Sequence, residues 1–240
     1  MGQAMRIQGS VALVTGSNRG LGLAFAEELR NRGVKVYAAA RNPDSIDLPG
    51  VVPVRLDVTD AAVIQEAADR CGDVTLLVNN AGIGTVNEGT LDPAFIDSSR
   101  EMFETNFYGM VRVSQVFGPI IAQNGGGAII NVLSDATWFS RPIVASYSAT
   151  KSAAWSFTNA LRLDLRGEGV QVVGLHAGFI DTDLARGIDA EKSRPRDVAA
   201  TALEGLENGK EEVLADEQSR LVKSTLSTDR GYYLDPPDIV

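Results

Sequence analysis

The chain has 240 residues, a length that open α/β sheets reach as one unit, so a single domain over 1–240 is the default expectation. Apolar side chains make up 44% and charged ones 22%, which excludes a disordered chain, and the net charge of -9 argues against a nucleic-acid partner, whose phosphates need clustered Lys and Arg. Cys71 is the single cysteine, so no internal disulfide can form and a reducing compartment is expected.

Residues 1–8 carry one Arg and no apolar run of signal-peptide length, and no segment approaches the roughly 20 apolar residues that span a bilayer. A cytoplasmic protein with no membrane partner is expected. No metal-binding cluster is read from the sequence.

In chain order, the first apolar, β-branched run at 11–15 predicts a buried strand. It leads into Thr15-Gly16-Ser17-Asn18-Arg19-Gly20-Leu21-Gly22 and then a segment at 21–32 whose Leu21, Ala24, Phe25 and Leu29 fall on one helical stripe. Strand, glycine-rich turn and helix form the context of a dinucleotide site: N–H groups at the helix N-terminus face a pyrophosphate, and missing Cβ atoms let it approach. Gly16, Ser17, Asn18, Arg19, Gly20, Leu21 and Gly22 are the expected cradle, spaced G-x-x-x-G-x-G; a plain tight turn is the alternative.

The second strand, 34–40, ends at Arg41 with no carboxylate before Asp44. An acidic residue there holds the ribose 2′-OH of NAD, whereas an Arg accommodates the 2′-phosphate of NADP. Arg41, with Arg19 from the turn, therefore predicts NADP(H) over NAD(H), against the alternative that both are solvated.

Further strands are predicted at 51–56, 74–78, 128–133 and 170–175, with a short one at 212–215. Amphipathic stretches at 96–122 and 145–166, a helix starting at Pro195, a helix at 217–226 and an irregular tail over 227–240 complete the pattern. Strands apolar on both faces and alternating with helices predict an α/β fold: a doubly wound, Rossmann-type parallel sheet with helices on both faces.

Tyr147 and Lys151 are four apart on a predicted helix and share a face. A neighbouring ammonium is expected to lower the phenol pKa towards working pH and make Tyr147 a general acid or base. Ser134 ends the 128–133 strand, where a doubly wound sheet opens its crevice, and its hydroxyl can donate to the same substrate oxygen.

Together these features resemble the short-chain dehydrogenase/reductase family in its compact single-domain branch, over nearly the whole chain. The resemblance implies a catalytic group of Asn106, Ser134, Tyr147 and Lys151, with Asn106 holding a water in a relay through Lys151. It places Asp57 and Val58 at the adenine, Asn80, Ala81 and Gly82 beside the adenosine ribose, and Gly178, Ile180 and Thr182 at the carboxamide end of the nicotinamide. Tyr147 and Lys151 also count among the cofactor contacts. Ala177 stands where the family usually has the proline of Pro-Gly.

The resemblance draws the substrate pocket from Ser134, Ala136, Trp138, Phe139, Tyr147 and Phe179, and the short loop at 183–194 is expected to leave it open. His176 is expected to be structural. The implied activity is NADP(H)-dependent hydride transfer between the nicotinamide and a small-molecule carbonyl or secondary alcohol, in a homodimer or homotetramer paired through 96–122 and 145–166. The run at 211–216 replaces the Asp-Gly-Gly of acyl-carrier reductases, which argues against a fatty-acid role. The alternative is a catalytically inactive, nucleotide-sensing binding protein, although such relatives typically lack the Tyr or Lys. A halohydrin-type lyase would replace that Lys with Arg, and an extended-branch epimerase or dehydratase would add a C-terminal domain.

Overall fold

The computed structural model describes residues 5–237. Alternation within the strands decides the architecture. In β1 (Val11–Thr15) Ala12 and Val14 enter one core while Leu13 enters another, and in β4 (Leu76–Asn79) Leu76 and Val78 oppose Leu77 in the same way. β5 (Gly127–Val132) divides Ala128, Ile130 and Val132 from Ile129. Strands buried on both faces require cover on both sides.

With β2 (Lys35–Ala40), β3 (Val52–Arg55), β6 (Val170–His176) and β7 (Glu212–Leu214), they form a seven-stranded sheet ordered β3-β2-β1-β4-β5-β6-β7. Every pairing is parallel. α1 (Gly20–Asn31) and α6 (Pro195–Glu207) bury Phe25, Leu29, Val198 and Leu203 in one core. α2 (Ala61–Arg70), α4 (Met110–Gln123) and α5 (Ala145–Leu165) cover the other face, where Ile64, Phe117 and Ile121 meet Leu13 and Leu77. This is the doubly wound sheet the sequence predicts. Its order reverses between β1 and β4, where such sheets open a crevice at the strands' C-terminal ends.

The stretch at 96–122 is not one regular helix. α3 (Phe95–Met102) passes through a π-helical segment, Phe103–Gly109, before α4. Gly109 sits against β3's end: a Cβ there would lie 2.6 Å from Val58 Cγ2, so the helix makes its closest approach where it is also wound wider. The short α7 (Glu217–Ser224) ends two residues before its expected limit.

The tail carries no helix or strand from 227 to 237, as expected, but it folds back, with Tyr232 edge-on to Phe139 at 4.9 Å between ring centres. Residues 238–240 of that tail, and 1–4 of the N-terminal stretch, lie outside the described residues. No helix among the described residues is long and apolar enough to cross a membrane.

A candidate active-site cleft

A cleft of about 820 Å³ opens at the C-terminal ends of the strands. Its first end is the turn between β1 and α1, where Gly16 and Gly20 adopt positive φ angles of 69° and 56°. Gly22 has no room for a side chain, because a Cβ would run into the carbonyl oxygen of Gly16. α2 and α7 are capped by Asp60 and Asp216, whose carboxylates accept from first-turn N–H groups, but α1 begins at Arg19 with no side-chain cap and no acidic residue in its first turn. Its N–H groups and positive dipole end are left to the cleft.

Side chains behind the turn hold it in place. Asn80 Nδ2 donates to the carbonyls of Thr15 at 2.9 Å and Gly16 at 3.3 Å, while Thr15 Oγ1 accepts from the N–H groups of Asn80 at 2.9 Å and Ala81 at 3.0 Å. Ser17 is buried, donating to Val14 O, and does not line the cleft; nor does Gly22. Both shape the cradle from behind. Asn18, Arg19, Gly20, Leu21, Arg41, Asp57, Val58, Asn80, Ala81 and Gly82 line it. Arg19 spans 3.0 Å to Asp183 of the loop opposite. Asp57 Oδ1 is taken by the N–H and hydroxyl of Thr59 at 3.0 and 2.7 Å.

At the other end the cleft is lined by Ser134, Tyr147 and Lys151 together, with Gly178, Ile180 and Thr182 beyond β6. Lys151 is buried and donates to Val132 O at 2.8 Å, with its Nζ 5.5 Å from the Tyr147 ring centre. Asn106, in the π-helical segment, spends its amide on other partners: Oδ1 accepts from Ile83 N at 2.8 Å, and Nδ2 donates to Ile83 O at 2.9 Å and Thr150 Oγ1 at 3.2 Å. Its side chain makes no direct bond to Tyr147 or Lys151 among the described residues. It clamps the loop after β4 against α5.

The expected lowering of the Tyr147 pKa by Lys151 is not what this structure gives. Desolvation pushes the phenol up to about 12, the Ser134 hydroxyl works against it, and the Asp135 charge adds to it. Desolvation also brings Lys151 down to about 8. Burial that favours both neutral forms outweighs the attraction of four-residue spacing.

His176 is fully buried, with Nδ1 2.9 Å from Ser134 O and its ring stacked on Trp138 at 4.0 Å between centres. Desolvation lowers its pKa to about 3, so it stays neutral and braces the Ser134 loop, the structural part expected of it. The same stacking bears on Trp138, expected in the pocket, which lines a smaller cavity shared with Phe139 and Tyr233. Its indole packs on His176 and, edge-on, on Trp155 rather than lining the cleft. Ala136, Phe139 and Phe179 do line it. The loop at 183–194, which the resemblance also places in the pocket wall, contributes Asp183, Leu184, Ala185 and Ile188 to it.

Two charged residues stand in the wall: Asp135, which the resemblance places there as the residue after Ser134, and Arg141, which the sequence reading does not include. Asp135 is buried beside Ser134, and desolvation raises its pKa to about 6. Arg141 is buried too, donating to Pro237 O at 2.8 Å and Tyr232 Oη at 3.1 Å, with its guanidinium 4.8 Å from the Phe139 ring centre. Its anchors come from the folded-back tail. Among the described residues no group of three His, Cys, Asp or Glu side chains is arranged to hold a metal.

Residues 10–193 match the family model described as short chain dehydrogenase. The chain is 34% identical over 202 residues to a sorbitol dehydrogenase of Cereibacter sphaeroides, covering 78% of this chain and 77% of that protein. A crystal structure of a short chain dehydrogenase from Burkholderia cenocepacia J2315 in complex with NADP superposes with a TM-score of 0.90 at 37% identity, covering 94% of this chain and 96% of that one. A short chain dehydrogenase/reductase from Burkholderia phymatum in complex with NAD gives 0.82 at 29% identity, covering 98% and 99% of the two chains.

Proposed function

The chain belongs to the short-chain dehydrogenase family, and from that premise we propose that it is an NADP(H)-dependent carbonyl reductase or alcohol dehydrogenase acting on a small-molecule ketone, aldehyde or secondary alcohol. The observation that carries this reading is the common cleft: Ser134, Tyr147 and Lys151 line the same cavity as the uncapped start of α1. The cradle fits a dinucleotide, because the positive-φ glycines and the crowded Gly22 leave backbone N–H groups bare at the turn. A nicotinamide dinucleotide bound there supplies or accepts the hydride.

The remaining steps belong to this chain's side chains. Tyr147, with its phenol held up at about 12, keeps its proton through the neutral range and delivers it to the substrate oxygen. Ser134 donates to that same oxygen as charge develops. Lys151 is fixed by Val132 O with its Nζ 5.5 Å from the Tyr147 ring centre, and it would hold the nicotinamide ribose of a bound cofactor. Asn106 holds the loop carrying Gly82 and Ile83, and the water relay through Lys151 is part of the proposal.

Arg19 and Arg41 in the cleft wall support NADP(H), as does the NADP held by the Burkholderia cenocepacia relative. The relative holding NAD makes this the first point to test. Exposed Ile96, Tyr108 and Leu163 on α3, the π-helical segment and α5 support pairing of copies into a dimer or tetramer. A cytoplasmic setting suits the free, buried Cys71. Consumption of NADPH and NADH across a panel of ketones tests the reading. It expects turnover that favours NADPH, and no turnover with any carbonyl overturns it in favour of a nucleotide-sensing protein.

A further inference from the structure

Ser134 has one hydroxyl proton, which stands near the Tyr147 phenol but in this structure is directed at its neighbour Asp135. Its Oγ donates to Asp135 Oδ1 at 3.1 Å, while Ala136 N donates to Ser134 Oγ at 3.1 Å and to Asp135 Oδ1 at 2.7 Å. A hydroxyl has a single donor, so Ser134 cannot hold Asp135 and a substrate oxygen at once. Asp135 is 7% exposed and lines the cleft. Its backbone is fixed by a bond to Ala177 O at 3.0 Å.

The second carboxylate oxygen is the informative one. Oδ2 takes no hydrogen bond from any described residue and lies 3.5 Å from where a Cβ on Gly178 would stand, beside another residue of the cleft lining. Its charged neighbours pull opposite ways, Asp216 against the carboxylate's charge and Arg141 in favour of it, and neither donates to Oδ2. Asp216, at the head of α7, is occupied by Gly178 N and Ser219 N at 2.7 Å each, and Arg141 is committed to the tail. Tyr147, from α5, meets the carboxylate as a charge that opposes phenolate. A desolvated acceptor with a free lone pair, facing a substrate cavity, asks for a donor from the substrate.

Resting on the reductase reading above, we propose that Asp135 selects substrates bearing a hydroxyl on the carbon next to the reacting carbonyl, and that this hydroxyl frees Ser134 for catalysis. The α-hydroxyl donates to the free Oδ2 of Asp135, which draws charge from Oδ1 and loosens its hold on the Ser134 proton, and that proton then turns to the carbonyl oxygen. A simple ketone leaves Ser134 on Asp135 and receives only the Tyr147 donor. The redox balance is that of any ketone reduction: the carbonyl carbon gains the hydride from the reduced nicotinamide, its oxygen gains the Tyr147 proton, and no bond at the α-carbon is broken.

The test compares α-hydroxyacetophenone with its α-methoxy ether, which keeps the electron withdrawal and removes the donor. Wild type is expected to favour the hydroxyketone in kcat/KM by about tenfold or more, because a site built around a substrate hydroxyl discriminates strongly against the analogue lacking the donor. Asp135→Ala and the isosteric Asp135→Asn are expected to bring the ratio within about threefold of unity, each folded variant being verified by NADPH fluorescence titration. Wild type alone gives a further reading. With the carboxyl titrating at about 6, the preference is present above that pH and falls as pH drops through it.

A wild-type ratio near unity, a ratio unchanged in both variants, or one flat between about pH 8 and about pH 5 overturns the proposal. Turnover of neither ketone, when other carbonyls are reduced, overturns it while sparing the reductase reading. If no carbonyl is reduced with either cofactor, both fall.

Discussion

At the glycine-turn end the floor of the cleft is main chain, held from behind by buried Thr15 and Ser17 and by Asn80 and flanked by Arg19 and Arg41, whereas at the Ser134 end the wall is side chain, drawn from the loops after β5 and β6 and from α5, with the tail bracing Arg141. The first depends on the absence of atoms at Gly16, Gly20 and Gly22. The second depends on charged and aromatic groups whose protons and orientations are set by neighbours far along the chain. The difference separates general cofactor binding from substrate choice. Backbone N–H groups alone suit any dinucleotide, so in the proposed enzyme the choice between cofactors falls to Arg19 and Arg41 and the choice of substrate to Asp135, Arg141 and Phe139.

The largest effect that tests this division is Tyr147→Phe, which removes the proton donor and leaves the turn untouched. A loss of about 10²- to 10⁴-fold in kcat is expected, with a far smaller change in NADPH affinity by fluorescence titration, since Tyr147 would be only one of many cofactor contacts. Equal loss of both would break the comparison. Gly22→Ala should do the reverse. Its methyl meets Gly16 O and Asn80 Nδ2, so a fall of about 1–3 kcal/mol in denaturant stability is expected, together with weaker NADPH binding.

Arg41→Ala sharpens the first half. The charged group it removes is expected to lower kcat/KM for NADPH about tenfold or more and to leave NADH nearly unchanged; an equal fall for both would remove the phosphate assignment. The smallest effect is expected from Tyr232→Phe, which deletes one bond to Arg141. Ketone KM should rise a few-fold at constant NADPH affinity, consistent with about 0.5–1.5 kcal/mol for a single hydrogen bond. The pH dependence has a fixed sign as well. With the phenol raised to about 12, ketone reduction does not lose its proton donor on going from neutral to mildly alkaline pH, and alcohol oxidation, which needs the phenolate, rises with pH.

The same division governs what could be read from the sequence. The strands and the glycine cradle were legible because both are local: β-branched runs with turn signals, and three glycines between a strand and a helix. That Tyr147, Lys151 and Ser134 share one cleft was legible through spacing and strand position. Arg141 was not, because its partners Tyr232 and Pro237 lie 91 and 96 residues away. Trp138 was assigned to the pocket because an aromatic residue after the serine looks the same whether it faces a cavity or stacks on His176. The pKa of Tyr147 could not be foreseen either, since spacing announces a charge nearby but not the desolvation that offsets it.

His176 gives the serine loop an unusual constancy. It is neutral over any pH a cell meets, and it grips the Ser134 carbonyl through one ring nitrogen while Trp138 covers its face. The imidazole, elsewhere the side chain that reports acidity, here works as a fixed spacer between β6 and the catalytic loop. In the proposed reaction acidity would therefore act through Asp135, Lys151 and Tyr147, while the His176 brace behind the Ser134 backbone stays blind to it.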